Sequence, residues 1–152
     1  MKTLDWSKIS HFKEPNESPG FNLWQATTSW RRQIEAALST LNITHPQFVL
    51  LASLSWLTSN NIDITQVELA RHCNTDITQT SQVLRSLEQK GFIERLQRTG
   101  NAKAKFPRVT QNGIQLLKQA IFLVESVDHT FFKKLENDTE HFIESLQKLI
   151  SN

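Results

Sequence analysis

Apolar residues recur along this chain at two spacings, and the switch from one to the other marks its parts. From Phe21 to Leu41, the positions Leu23, Thr27, Trp30, Ile34, Leu38 and Leu41 repeat at helical spacing, and Trp24, Ala26 and Ala37 widen the stripe. Asn42 is the expected terminator. A new start follows at once in Ile43-Thr44-His45-Pro46-Gln47-Phe48. Thr44 is placed to cap, Gln47 to reach back to it, and Ile43 and Phe48 to close as a hydrophobic staple. The run FVLLASLSWL that follows is apolar on nearly every side, as in a helix buried among others. The same start signal recurs in Ile64-Thr65-Gln66-Val67-Glu68-Leu69, which predicts a short third helix from Gln66 to about Cys73. Asn74-Thr75-Asp76 is turn chemistry, with Asp76 or Thr78 capping a fourth helix that runs to Lys90. Gly91 stands where a left-handed stop is expected.

The pattern then changes. Phe92 to Leu96 reads as a strand, Gln97 to Ala104 as a polar, basic loop turning at Gly100-Asn101, and Lys105 to Val109 as a returning strand whose Pro107 argues for an edge. Thr110 begins a long helix with a stripe of Ile114, Leu117, Ile121, Val124, Phe131 and Leu135, and Leu116, Ala120, Val127 and Phe132 beside it. A break is expected at Asn137-Asp138, and a last helix carries Phe142, Leu146, Leu149 and Ile150. Ahead of all this, residues 1–20 read as a loose arm rich in loop formers, where Trp6, Ile9 and Phe12, spaced by three, offer one short turn able to dock. The fold expected is mostly α with a small β-hairpin wing, a winged helix-turn-helix over residues 44–110 flanked by helices over 21–43 and 111–152, in one compact domain overall.

Composition narrows the class. The chain has 152 residues, 38% hydrophobic and 21% charged, which is ordinary globular composition, and its four glycines and four prolines suit a helical protein. No apolar run approaches the roughly 20 residues that span a bilayer, and the first twenty residues hold no apolar signal core, so the cytoplasm is the expected compartment and no membrane partner is expected. The single cysteine, Cys73, excludes an internal disulfide framework and any cysteine-based zinc cluster, and reads as a structural thiol. The five histidines show no tight ligand spacing, and no Gly-rich phosphate loop, metal-protease motif or nucleophile elbow is present. No catalysis and no cofactor are expected.

Net charge is only +2, but it is unevenly spread. Between residues 71 and 110, Arg71, Arg85, Lys90, Arg95, Arg98, Lys103, Lys105 and Arg108 outweigh Asp76, Glu88 and Glu94. From residue 120 onward acids outnumber bases. A basic middle suits a surface that meets an anion. In the fourth helix, Thr80, Val83, Leu84 and Leu87 share one side, while Thr78, Gln79, Ser81, Gln82 and Arg85 point elsewhere. Gln pairs with adenine and Arg with guanine in the major groove, and Ser and Thr bond phosphates or bases. A plain solvent-facing side would favour Glu and Lys, which are better helix formers than Thr and Ser. Arg98, Lys103 and Lys105 add a basic ribbon suited to phosphates or an adjacent groove.

At this point the chain resembles the MarR family (multiple antibiotic resistance regulators). The residues that carry the likeness are HPQFVLLASL, then TQVELARHCNTDITQTSQVLRSLEQKGFIER, then RVTQNGIQLLKQA after the wing. They look like the family's Q-F-x-V-L, T-Q-x-E-L-A, L-E-x-K-G-x-I-x-R and L-T-x-x-G landmarks. The resemblance implies a homodimeric transcription regulator, a repressor in the leading reading, on a near-palindromic duplex, with the first and last two helices forming the dimer interface. Phe122, Phe131, Phe132 and Phe142 fit that role or fill the monomer core. It also implies a small-molecule effector held between the dimer helices and the DNA-binding lobe, for which Trp24, Trp30, His45, Phe48 and Trp56 are candidates, with core and interface packing as the alternative. The wing departs from the family's D-x-R tip and has Asn101-Ala102-Lys103 instead, keeping charge without the guanidinium fork. A winged-helix module that binds protein partners is the alternative function. DNA binding through several cations weakens steeply with salt, which separates the two.

Overall fold

The computed structural model describes residues 4–60, 62–98 and 101–151, with the side chains of 98 and 101–104 excluded. Two single 3-10 turns, Trp6–Lys8 and Pro15–Glu17, precede α1 (Pro19–Ser39). Then come α2 (His45–Leu57), α3 (Gln66–His72), α4 (Ile77–Gln89), β1 (Ile93–Arg98), β2 (Asn101–Val109) and α5 (Gln111–Phe132). A 3-10 segment, Lys133–Asp138, leads to α6 (Thr139–Ile150). The element order is that of a winged helix-turn-helix between terminal helices.

The helix starts follow local chemistry. Thr44 and Thr65 each accept from the third backbone N–H of the next helix, while Gln47 and Glu68 accept from the cap backbone in return, so both capping boxes are complete. Of the two candidates ahead of α4, Asp76 is the cap, its carboxylate accepting from Thr78 and Gln79 N–H. Those bonds hold the Asp76 carboxyl below its usual pKa, as the Thr65 bonds do for Glu68. Gly91 follows α4 at φ 74°, where a Cβ would be strained.

The core runs from the last turns of α1 (Ile34, Leu38) through α2 (Leu50, Leu51, Leu54), α3 (Leu69), α4 (Leu84, Leu87) and β1 (Ile93) to α5 (Leu116, Leu117, Ala120, Val124). Trp30 Nε1 donates to Asp128 at 2.7 Å and ties α1 to α5 outside that core.

Four expectations change. The wing strands are longer than the sequence pattern predicts: Gln97 and Arg98 belong to β1, and residues 101–104 to β2. Antiparallel pairing of Ile93–Gln97 with Lys105–Val109 carries the ribbon outward. The turn expected at Gly100-Asn101 and the side chains of Arg98 and Lys103 lie outside the described residues. The long helix ends at Phe132, ahead of the expected break at Asn137-Asp138, and Glu136 turns the chain at φ 49°. Leu135 is therefore not part of the α5 stripe. That stripe is also rotated, because Gly113, Leu116, Leu117, Ala120 and Val124 face inward while Ile114 and Ile121 are exposed. Gly113 lies on this inward side, its Cα packed on the Phe92 carbonyl and Val109 so closely that a Cβ would collide with both. Finally, Trp6 opens a short 3-10 turn that Ile9 closes, with Phe12 beyond it, but all three side chains are exposed.

Candidate nucleic-acid interface and effector cavity

The outward side of α4 is assembled by what the helix buries. Thr80, Leu84 and Leu87 are fully covered, and Thr80 Oγ1 bonds Thr75 Oγ1 at 2.8 Å, pinning the helix start onto the α3–α4 turn. That anchoring turns Thr78, Gln82 and Arg85 to solvent with Ser81 partly covered between them. Arg85 has no ion pair or hydrogen bond among the described residues. An arginine held by none of its neighbours keeps its whole planar fork for an incoming acceptor. Gln79 is exposed but lies on the flank, where it lines a cavity behind the helix.

The basic ribbon is less open than the sequence count implied. Lys90 donates to the Asn42 carbonyl at 2.7 Å and to Gln47 Oε1, Arg95 pairs with Glu88, and Arg108 pairs with Asp63. Those three cations hold the lobe together. Arg71, Arg85 and Lys105 remain exposed. Gln47, buried on α2, joins the two ends of the Lys90 link: its carbonyl oxygen accepts from Thr44 N–H and Lys90, and its amide nitrogen donates to Ser86 at 2.8 Å. The end of α1 and the C-terminal turn of α4 are thereby fixed to one another. Sequence reading found Gln47 as a capping residue and missed this second role, because Ser86 is 39 positions away.

The five aromatic and histidine candidates do not converge on one cavity. His45 lines a cavity of about 210 Å³ with Arg31 of α1, Pro46, Val49 and Leu50 of α2, and Thr75, Gln79 and Val83 beside and on α4. Its imidazole meets Trp30 edge-on at 5.1 Å. Desolvation, then the Arg31 charge, hold His45 below its usual pKa. Trp30 itself opens on a larger apolar groove of about 500 Å³ with Leu23, Phe131, Phe132, Phe142 and Leu146. Phe48 packs against the core. Trp24 is 69% exposed on α1, and Trp56, equally exposed near the C-terminal end of α2, stacks on His72 of α3 at 5.7 Å. Arg31 and Gln79 complete the cavity that His45 enters. Arg31 escaped notice because it sits on α1 with no motif around it.

The MarR family model matches residues 43–105, from the α1–α2 turn to the wing. YdcH of Bacillus subtilis, an HTH-type transcriptional regulator, is 38% identical over 98% of this chain and 99% of its own. The chain belongs to the MarR family. It is a winged helix-turn-helix transcriptional regulator. It is also similar to the HTH-type transcriptional repressor Rv2887 of Mycobacterium tuberculosis, 30% identical over 88% of this chain and 94% of that one. The crystal structure of Rv2887 with DNA superposes at a TM-score of 0.66 over 88% of this chain and 98% of that one, and its complex with salicylic acid at 0.67 over 87% and 96%. A mutant MarR from E. coli complexed with operator DNA gives 0.75 at 26% identity, over 88% of this chain and 93% of that one. Among the described residues no helix is long and apolar enough to cross a membrane.

Proposed function

We propose that the protein is a cytoplasmic, homodimeric repressor without catalytic activity that binds a near-palindromic operator and is released by a small aromatic acid. The carrying observation is the outward row of Thr78, Ser81, Gln82 and Arg85 on a helix whose opposite side is locked into the core. Arg85 and Gln82 read base edges, and Thr78 and Ser81 bond phosphate or bases. Arg98, Lys103 and Lys105 on the wing neutralise phosphates or enter the minor groove. Gln79, on the flank of α4, is shared between the DNA side and the cavity behind it.

The effector reading rests on that cavity. It is apolar, large enough for a single-ring acid, walled by α4, and edged by the Arg31 cation. Rv2887, which has been crystallised with both DNA and salicylic acid, is the relative that supports it. A ligand seated between α1 and α4 shifts the recognition helix only as far as it binds one posture better than the other.

Selection of bound duplexes from a random pool tests the function. A palindromic consensus, released by salicylate, is the expected result. No enriched sequence would overturn the proposal and leave a winged-helix module for protein partners.

A further inference from the structure

The wing is a two-stranded ribbon, and such a ribbon has little stability or fixed direction of its own in water. Its direction must be set where it leaves the lobe. Ile93, Pro107 and Val109 pack its base against the core, but apolar contacts alone leave a ribbon free to pivot. Polar ties restrain that pivot on both strands: Arg95 of β1 pairs with Glu88 of α4, and the more covered tie is on β2. Arg108, near the end of β2, reaches out of the ribbon to the α2–α3 connection. Its Nη2 donates to Asp63 Oδ1 at 2.6 Å and its Nη1 to the Thr58 carbonyl, at the C-terminal end of α2, at 3.3 Å. Both side chains of the ion pair are about four-fifths covered, at 21% and 24% exposure, so the pair is not a solvated surface contact. The planar fork spans two acceptors at a set angle, which a lysine cannot do. The negative end of α2 adds to the attraction.

We infer that Arg108 and Asp63 are positioning residues for DNA binding: they aim the wing, and Asp63 strengthens the hold on an anion although it is itself an anion. This rests on the reading that the wing meets phosphate. It carries a distinctive sign. Removing an acid from a basic DNA-facing lobe strengthens binding if only charge matters. If Asp63 aims the wing, its removal weakens binding instead, because wing cations then miss their phosphates.

The test is fluorescence anisotropy on the wild-type protein, Asp63→Asn, Arg108→Lys and Arg108→Met with one duplex from the random-pool selection, across a salt series. Thermal melts check that each variant is folded at the assay temperature. Asp63→Asn is expected to bind about three- to tenfold more weakly, with the slope of log affinity against log salt reduced by about one, the signature of one lost phosphate contact. Arg108→Lys is expected to fall between wild type and Arg108→Met. Asp63→Asn binding equally or more tightly, or more weakly with an unchanged slope, overturns the inference. Should Asp63→Asn melt below the assay temperature, Arg108→Lys decides it: wild-type affinity and slope overturn the inference, and an intermediate loss with a reduced slope supports it. A wild-type protein that binds no duplex would instead overturn the DNA-binding reading on which this rests.

Discussion

The lobe from Ile43 to Val109 and the terminal helices are built to different standards. In the lobe each element is fixed more than once. α2 and α3 start in complete capping boxes, α4 is capped by Asp76 and buried through Thr80, Leu84 and Leu87, and Lys90 and Gln47 bolt its far end to the α1–α2 turn. At the other end, α6 buries no residue fully, and Leu149 and Ile150 are each 75% exposed. The first turn and a half of α1 and the middle of α5 leave Leu23, Trp24 and Phe122 largely in solvent, and an open apolar groove runs from Leu23 and Trp30 of α1 to Phe131 and Phe132 at the end of α5 and Phe142 of α6. Under the proposed homodimer, a second copy completes this apolar and poorly covered region. The lobe holds its own shape. Under that proposal, the terminal helices depend on assembly.

Substitutions in the two regions should therefore differ in kind. Leu84→Ala, which empties a fully buried site in the lobe, is expected to cost about 2–5 kcal/mol in denaturant unfolding, by a similar amount at every protein concentration. If that loss shrinks sharply at high concentration, the lobe is not self-sufficient. Gly113→Ala should cost about 1–3 kcal/mol, because its methyl group has no room against the Phe92 carbonyl. A melting temperature equal to wild type would show that α5 can rotate freely on the wing base. Phe142→Ser, on the apolar groove, is expected to raise the dimer dissociation constant about tenfold in sedimentation equilibrium, roughly 1.4 kcal/mol. An unchanged constant would place the dimer contact elsewhere. The smallest effect concerns pH. His45 has its folded-state pKa lowered from 6.5, so below about that pH the unfolded chain takes up a proton that the folded one resists. Stability attributable to His45 therefore falls as pH drops from about 6.5 toward the folded value. Comparing denaturation midpoints at pH 7.5 and 5.5, His45→Gln should lose less on acidification than wild type. An identical loss would assign the acid sensitivity to other groups.

The sequence disclosed what is local. Capping boxes, the Gly91 stop and the inward row of α4 each lie within a few residues, so spacing alone reveals them. What it hid is the use made of charges across distance. Lys90 and Arg108 counted toward a basic surface, yet their partners lie 48 and 45 positions away and hold the lobe together. The contact of Gly113 with Phe92, which crosses the wing, was hidden for a similar reason. The turn at Glu136 was hidden because its side chain does not announce the positive φ it adopts. The candidate site divided in the same way. The α4 residues were legible as a group, while the cavity needed Arg31 and His45 to be brought together by α1 and α2 packing.

The central claim is that the outward side of α4 reads DNA sequence, and Arg85 carries the most of it. The most direct measurement is the affinity of Arg85→Ala for the selected duplex and for a scrambled one at the same salt. A loss of about 1–3 kcal/mol on the selected duplex, well beyond that on the scrambled one, is the result this account predicts. Equal losses on both, or none on either, would contradict it.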